Sequence, residues 1–94
     1  MSNLLQGFRK EIDAVDREIT RLLAERFRIT QKVGVYKAKH QLPPLDKQRE
    51  EEVLANKKLL AAKYKISPLL IEKIFKLVMA EARKNHRYEK TRNT

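Results

Sequence analysis

The chain has 94 residues, the size of one domain, and carries 22 lysines and arginines against 12 acids, a formal net charge of +10. It has no cysteine, which excludes disulfides and thiolate metal sites, and its two histidines form no His-Glu-x-x-His motif, so nothing suggests a metal. No apolar run approaches the length of a membrane span, and residues 1–10 lack the continuous apolar core of a signal peptide, so a cytoplasmic protein is expected. So basic a balance points to an anionic partner: nucleic acid, an acidic surface or a small anionic ligand.

In chain order, Met1 to Leu4 reads as a frayed end, with Ser2 or Asn3 available as a helix cap. From Leu5 to about Lys39 one long amphipathic helix is predicted. Its apolar seam is Leu5, Phe8, Ile12, Val15, Ile19, Leu22, Arg26, Ile29, Val33 and Tyr36, spaced alternately three and four residues apart. A seam of that kind predicts packing against other helices. Arg26 stands where the pattern asks for leucine or isoleucine, and a guanidinium there is costly unless an anion meets it. That anion is either a glutamate on a neighbouring helix or a ligand. Asp13–Arg17 and Glu18–Arg21 are expected as ordinary surface pairs.

A helix of about 36 residues is roughly 54 Å long, whereas a compact chain of this size spans roughly 30–35 Å. Either the helix breaks, with Gly34 the one candidate, or a second chain covers it; the seam continues to Tyr36, so a continuous helix and a homodimer are expected.

Gln41 to Leu45 contains two prolines and ends the first helix. Asp46 caps a second helix that runs to about Tyr64, with Glu50, Glu51 and Glu52 loading its early turns as the dipole prefers. Its apolar face is Val53, Leu54, Leu60, Ala61 and Tyr64, with Lys57 on the same side. Ser67-Pro68 is a start signal for a third helix to about Tyr88, striped by Leu70, Ile71, Ile74, Phe75, Val78, Met79 and Ala82. Residues 89–94 read as a polar, mobile tail. The whole chain, 1–94, is thus one all-α domain of three helices, long, short and medium, dimerised through the first.

Several charged residues break these patterns. Lys37 follows Arg26 by about three turns, so the two sit within roughly 20° of each other and roughly 16 Å apart along the axis. Together they suit one small dianion; alternatively Lys37 is an ordinary exposed lysine. Arg9 lies roughly 42 Å from Lys37 along the helix, so it is either a surface arginine or a contributor from an antiparallel partner chain. Asp46, Arg49 and Glu50 crowd the first turn of the second helix. Capping explains Asp46 well. It explains Glu50 less well, since Glu50 shares the inward face and wants Arg26, Lys37 or a ligand hydroxyl as donor. His86, three turns after Phe75, lies on the apolar face of the third helix, where a dipole-stabilised surface histidine is the plainer account.

With these residues laid out, the chain resembles an all-helical chorismate mutase of the small dimeric kind. The resemblance rests on Phe8-Arg9-Lys10-Glu11-Ile12-Asp13-Ala14-Val15-Asp16, Leu22-Leu23-Ala24-Glu25-Arg26 and Val33-Gly34-Val35-Tyr36-Lys37. It continues through Leu42-Pro43-Pro44-Leu45-Asp46, Arg49-Glu50-Glu51-Glu52-Val53-Leu54 and Ile74-Phe75-Lys76-Leu77-Val78-Met79, covering about Leu4 to Arg87. It implies an intertwined homodimer whose sites are built from both chains. Arg26, Lys37, Asp46, Arg49, Glu50, Ala82 and His86 would line one site, and Arg9 would reach it from the other chain. The implied reaction is the Claisen rearrangement of chorismate to prephenate on the path to phenylalanine and tyrosine, with no cofactor. In that scheme the arginines and Lys37 grip two carboxylates, Lys37 donates to the ether oxygen, and Glu50 and the Asp46 backbone hold the ring hydroxyl.

Two positions depart from the family's pattern. His86 stands where a glutamine or glutamate is usual as second donor to the ether oxygen; if it fills that role, turnover should rise on acidification through its pKa, and a flat pH–rate profile would count against it. Ala82 replaces a small hydroxyl residue, which should loosen the grip on a ring-side carboxylate.

The same fold would also serve an isochorismate-pyruvate lyase or a mutase of the 4-amino analogue; the Asp46-x-x-Arg49-Glu50 spacing favours chorismate. A basic nucleic-acid-binding helical protein is the alternative of another class, with Arg83, Lys84, Arg87, Lys90 and Arg92 as its phosphate contacts. No recognised nucleic-acid motif and few aromatics speak against it, and buried charge speaks against a passive coiled-coil adaptor. No second domain is evident, so feedback control by aromatic amino acids would need a partner.

Overall fold

The computed structural model describes the backbone of residues 2–92 and the side chains of residues 3–85. It has three helices, α1 (Ser2–Lys39), α2 (Lys47–Lys63) and α3 (Pro68–Arg92), and no strand among the described residues. The expected helices are therefore present. α1 starts earlier than expected, so Asn3 lies inside it, and the possible Ser2 cap falls outside the described side chains. α3 runs four residues past Tyr88 to Arg92; residues 93–94 lie outside the described residues.

Local chemistry explains the boundaries. Lys37 and Lys39 place positive charge on the last turn of α1, where the helix dipole favours it. Asp46 caps α2, its Oδ1 accepting from the Arg49 backbone N–H at 3.0 Å. The Ser67 hydroxyl does the same for α3, accepting from the Leu70 N–H at 3.3 Å. α1 and α2 both end in a residue of left-handed backbone, Gln41 (φ 57°) and Lys65 (φ 58°). At each end two backbone bonds wrap the last carbonyls: Leu42 N–H to Lys37 O with Gln41 N–H to Ala38 O, and Ile66 N–H to Ala61 O with Lys65 N–H to Ala62 O. Pro43 and Pro44 therefore follow a helix stop that the backbone has already made.

α3 is the middle layer: α1 and α2 each pack on it and not on one another. Val53, Ala61, Val78, Met79 and Ala82 are the buried apolar residues, a core concentrated on the α2–α3 contact. α2 meets α3 through a narrow strip at Val53, Lys57 and Ala61, so Leu60 and Tyr64, expected to face inward, are exposed.

The first helix differs most from expectation. It is continuous through Gly34, which is buried rather than a break. Its contact with α3 leaves Gly34 buried and shields Leu23, Phe27, Thr30, Val35 and Ala38 in part, a strip beside the predicted seam. The seam itself is about half in water: Ile12 is 57 % exposed, Ile19 51 % and Leu22 50 %. Every described side chain from Asn3 to Leu22 is exposed. The chain measures 60 × 27 × 14 Å, with a radius of gyration of 17.2 Å. A compact chain of this length would have roughly 12 Å.

On the surface of α1, Arg21 bridges Glu18 and Glu25, whereas Asp13 and Arg17 are not paired. Glu18 is held below its ordinary carboxylate value mainly by its hydrogen bond from Arg21. No described helix is long and apolar enough to cross a membrane.

Candidate active site

The second half of α1, the start of α2 and the middle of α3 enclose a cavity of about 320 Å³. That volume suits a small organic ligand. α1 contributes Arg26 and Lys37, which flank the strip that packs on α3, together with Ile29, Thr30 and Val33. The capped start of α2 contributes Asp46, Arg49, Glu50 and Val53. From α3 come Met79, Ala82 and Arg83. Residues 11, 20 and 24 positions apart in sequence from Arg26 thus converge because α3 gives both other helices one surface to pack on.

Arg26 has the most telling surroundings. Its guanidinium carbon lies 5.9 Å from the centre of the Phe75 ring, a cation–π contact at the long end of the range. Its Nη1 is buried and has no hydrogen-bond partner among the described residues. Burial, and secondarily the charge of Arg49, push its pKa below the ordinary arginine value. No glutamate on a neighbouring helix pairs with it, so the purely structural account of Arg26 finds no partner among the described residues. A buried donor left unpaired costs about 1–3 kcal/mol, which a ligand anion would offset.

Lys37 is not a free surface lysine. It is half-buried, and its Nζ donates to the Pro44 carbonyl at 3.1 Å, tying the connecting segment to the rim of the cavity. An ammonium has three N–H groups, so donors remain for a ligand. Asp46 lines the cavity while capping α2. Arg49 lines it too and makes only a loose 3.8 Å contact with Glu52.

Glu50 faces inward as expected, but its donor is neither Arg26 nor Lys37. Arg83 Nη1 donates to both of its carboxylate oxygens, at 2.5 and 2.6 Å, both side chains being about three-quarters shielded. The sequence had placed Arg83 in a basic cluster for phosphate contact. The overlooked signal is its position one turn after Met79 on the buried stripe of α3. Ala82 beside it is buried and apolar.

Among the described side chains, one predicted site residue is not brought into this cavity. Arg9 is exposed on α1, about 26 Å along the axis from Arg26. His86 lies on α3 one turn beyond Ala82, and its side chain is outside those described. Among the described residues no cluster of histidine and acidic side chains is placed to hold a metal ion.

Among the described residues the cavity is lined by four cationic side chains, Arg26, Lys37, Arg49 and Arg83, against two carboxylates, Asp46 and Glu50, an excess of two positive charges. Its remaining lining is mostly apolar, with Ile29, Val33, Pro44, Val53, Met79 and Ala82.

Comparison with known proteins agrees with this picture. A T-protein of Haemophilus influenzae is 38 % identical over 81 residues, covering 86 % of this chain and 22 % of that protein. A T-protein of Enterobacter agglomerans is 35 % identical over 78 residues, 83 % of this chain and 21 % of that protein. A bifunctional chorismate mutase/prephenate dehydratase of Buchnera aphidicola is 28 % identical over 82 residues, 87 % of this chain and 22 % of that protein. The chain spans about a fifth of the length of these curated relatives. The family model for chorismate mutase type II matches residues 8–87, and with nearly the whole chain inside that match, the chain belongs to the chorismate mutase type II family.

Proposed function

We propose that the chain rearranges chorismate to prephenate, working as a homodimer whose two sites each take Arg9 from the partner chain. The observation that carries this is the buried Nη1 of Arg26, without a hydrogen-bond partner among the described residues, in a cavity whose described lining has two excess positive charges. That arrangement suits a small dianion better than an extended polyanion.

The reaction is unimolecular: the ether C–O bond breaks as a C–C bond forms between the enolpyruvyl arm and the ring. The protein's tasks are therefore shape and charge. Arg26 and Arg49, with Arg9 from the second chain, fix the carboxylates and fold the arm over the ring, which removes an orientational barrier. Negative charge develops on the ether oxygen as its bond breaks. Lys37, anchored on Pro44, donates to it, with His86 as the second donor. Glu50 keeps lone pairs beyond those that Arg83 uses and accepts the ring hydroxyl. The apolar walls at Val33, Val53 and Met79 define the volume into which the chair-like geometry fits.

The exposed seam of α1 supports the dimer. The nine apolar positions of the seam, regularly spaced along one side of the helix, are each 41–58 % exposed in the single chain. Among the described side chains only five apolar ones are buried, a small core for three helices.

The direct test is the loss of chorismate and appearance of prephenate with the purified chain, beside Arg26→Ala. Conversion that disappears in the variant is expected. A folded protein that leaves chorismate intact would overturn the proposal, and isochorismate would be tried next.

A further inference from the structure

We propose that Arg83 binds a carboxylate of the substrate, with Glu50 serving as the anchor that fixes its guanidinium on the cavity wall. This deepens the function proposed above and rests on it.

Only one guanidinium nitrogen, Nη1, bonds to Glu50, and it spans both carboxylate oxygens instead of forming the parallel two-nitrogen fork. Nε and Nη2 have no acceptor among the described residues. The side chain is partly shielded, lines the cavity, and is the one polar group that the described part of α3 sends there, since Met79 and Ala82 are apolar. A guanidinium has five N–H donors in a rigid plane, so it can hold one anion on one edge and a second on another.

Charge points the same way. Without Arg83, Glu50 would be an uncompensated repulsive charge beside the dianion. Arg83 thus cancels Glu50 electrostatically while leaving N–H groups over for the ligand. A guanidinium held by a carboxylate is also already oriented, so less conformational freedom is lost on binding.

The test uses the full chain as wild type, Arg83→Met and Arg83→Lys. The ligands are a bicyclic ether dicarboxylate shaped like the chair transition state and its two monomethyl esters; kcat and KM for chorismate are measured alongside. Arg83→Met is expected to raise KM and weaken the dicarboxylate by about 10- to 100-fold, while one monoester, the one lacking the carboxylate that Arg83 holds, changes by less than about threefold. Arg83→Lys, which keeps a charge beside Glu50 without the spare planar donors, is expected to fall between. It carries the decision if Arg83→Met does not fold. Equal weakening of the dicarboxylate and both monoesters would make the ion pair only a structural tie between α2 and α3, and overturn the proposal. So would unchanged binding of all three. A wild type that neither turns over chorismate nor binds the dicarboxylate would instead overturn the functional assignment itself.

Discussion

Replacing Arg26 with methionine should make the empty protein more stable and nearly inactive. Methionine keeps an unbranched, flexible side chain and restores the apolar character that the seam has on either side of position 26. It removes a buried donor without a partner, worth about 1–3 kcal/mol, and the repulsion from Arg49. Against this stands the loss of the Phe75 contact, about 0.5–1 kcal/mol at 5.9 Å. The balance is a gain of about 1 kcal/mol. In urea at fixed protein concentration that raises the unfolding midpoint by roughly 0.5–1 M. Turnover should drop by about 100-fold or more, as for loss of one preorganised charged contact. A lower midpoint together with retained turnover would refute the reasoning. It would mean that Arg26 has a structural partner outside the described residues rather than a ligand.

Ile19→Asp puts a charge on the half-exposed seam; a monomer should tolerate it, whereas a symmetric dimer meets it twice, weakening association by about 1000-fold in sedimentation equilibrium. Unchanged sedimentation would argue against the seam as the interface. Lys65→Gly removes a β-carbon from a left-handed backbone position and should stabilise the fold by about 1 kcal/mol in the same urea assay; Lys65→Ala should not. Glu72 is hydrogen-bonded by Lys76 on its own helix and Lys58 on α2, at 3.2 and 3.3 Å, and these bonds lower its pKa from the ordinary value of 4.5. A depressed carboxylate contributes stability that is present above the unfolded value and is lost as pH falls through the folded one. Acid unfolding followed by circular dichroism should therefore be shallower just below pH 4.5 in Glu72→Gln than in the wild type; identical curves would show that this link adds nothing.

Much of the cavity's charged lining was legible because it rests on local signals. Arg26 interrupts a regular seam, Lys37 lies about three turns on, and Asp46, Arg49 and Glu50 crowd one capped turn; all five line one cavity. Arg83 was not legible, because its role depends on a partner 33 residues away and its neighbours in sequence are a run of other basic residues. The same limit applies to Leu60 and Tyr64: both fit an apolar helical face, but α3 covers only a strip centred on Val53 and Ala61. Periodicity identifies which side of a helix is apolar, and the width of the neighbour decides how much of it is covered. The stop of α1 is signalled by Pro43 and Pro44 and the start of α3 by Ser67-Pro68, whereas the backbone bonds that close α1 and α2, at Gln41 and Lys65, carry no glycine to announce them.

The first twenty-odd residues of α1 have consequences for the order in which the molecule is built. From Asn3 to Leu22 no described side chain is shielded by the rest of the chain, and an isolated helix of that length is marginal in water. The α2–α3 hairpin, with its local contacts and most of the buried side chains, is the cooperative unit best able to form first. In the separated chain, the amides of this projecting half should exchange with deuterium as soon as they meet it, while those of α3 around Val78 to Ala82 wait for global opening. Once a surface covers the seam, protection should spread toward the N-terminus with rising protein concentration, so that the secondary structure of one end of the molecule becomes a readout of its mass action.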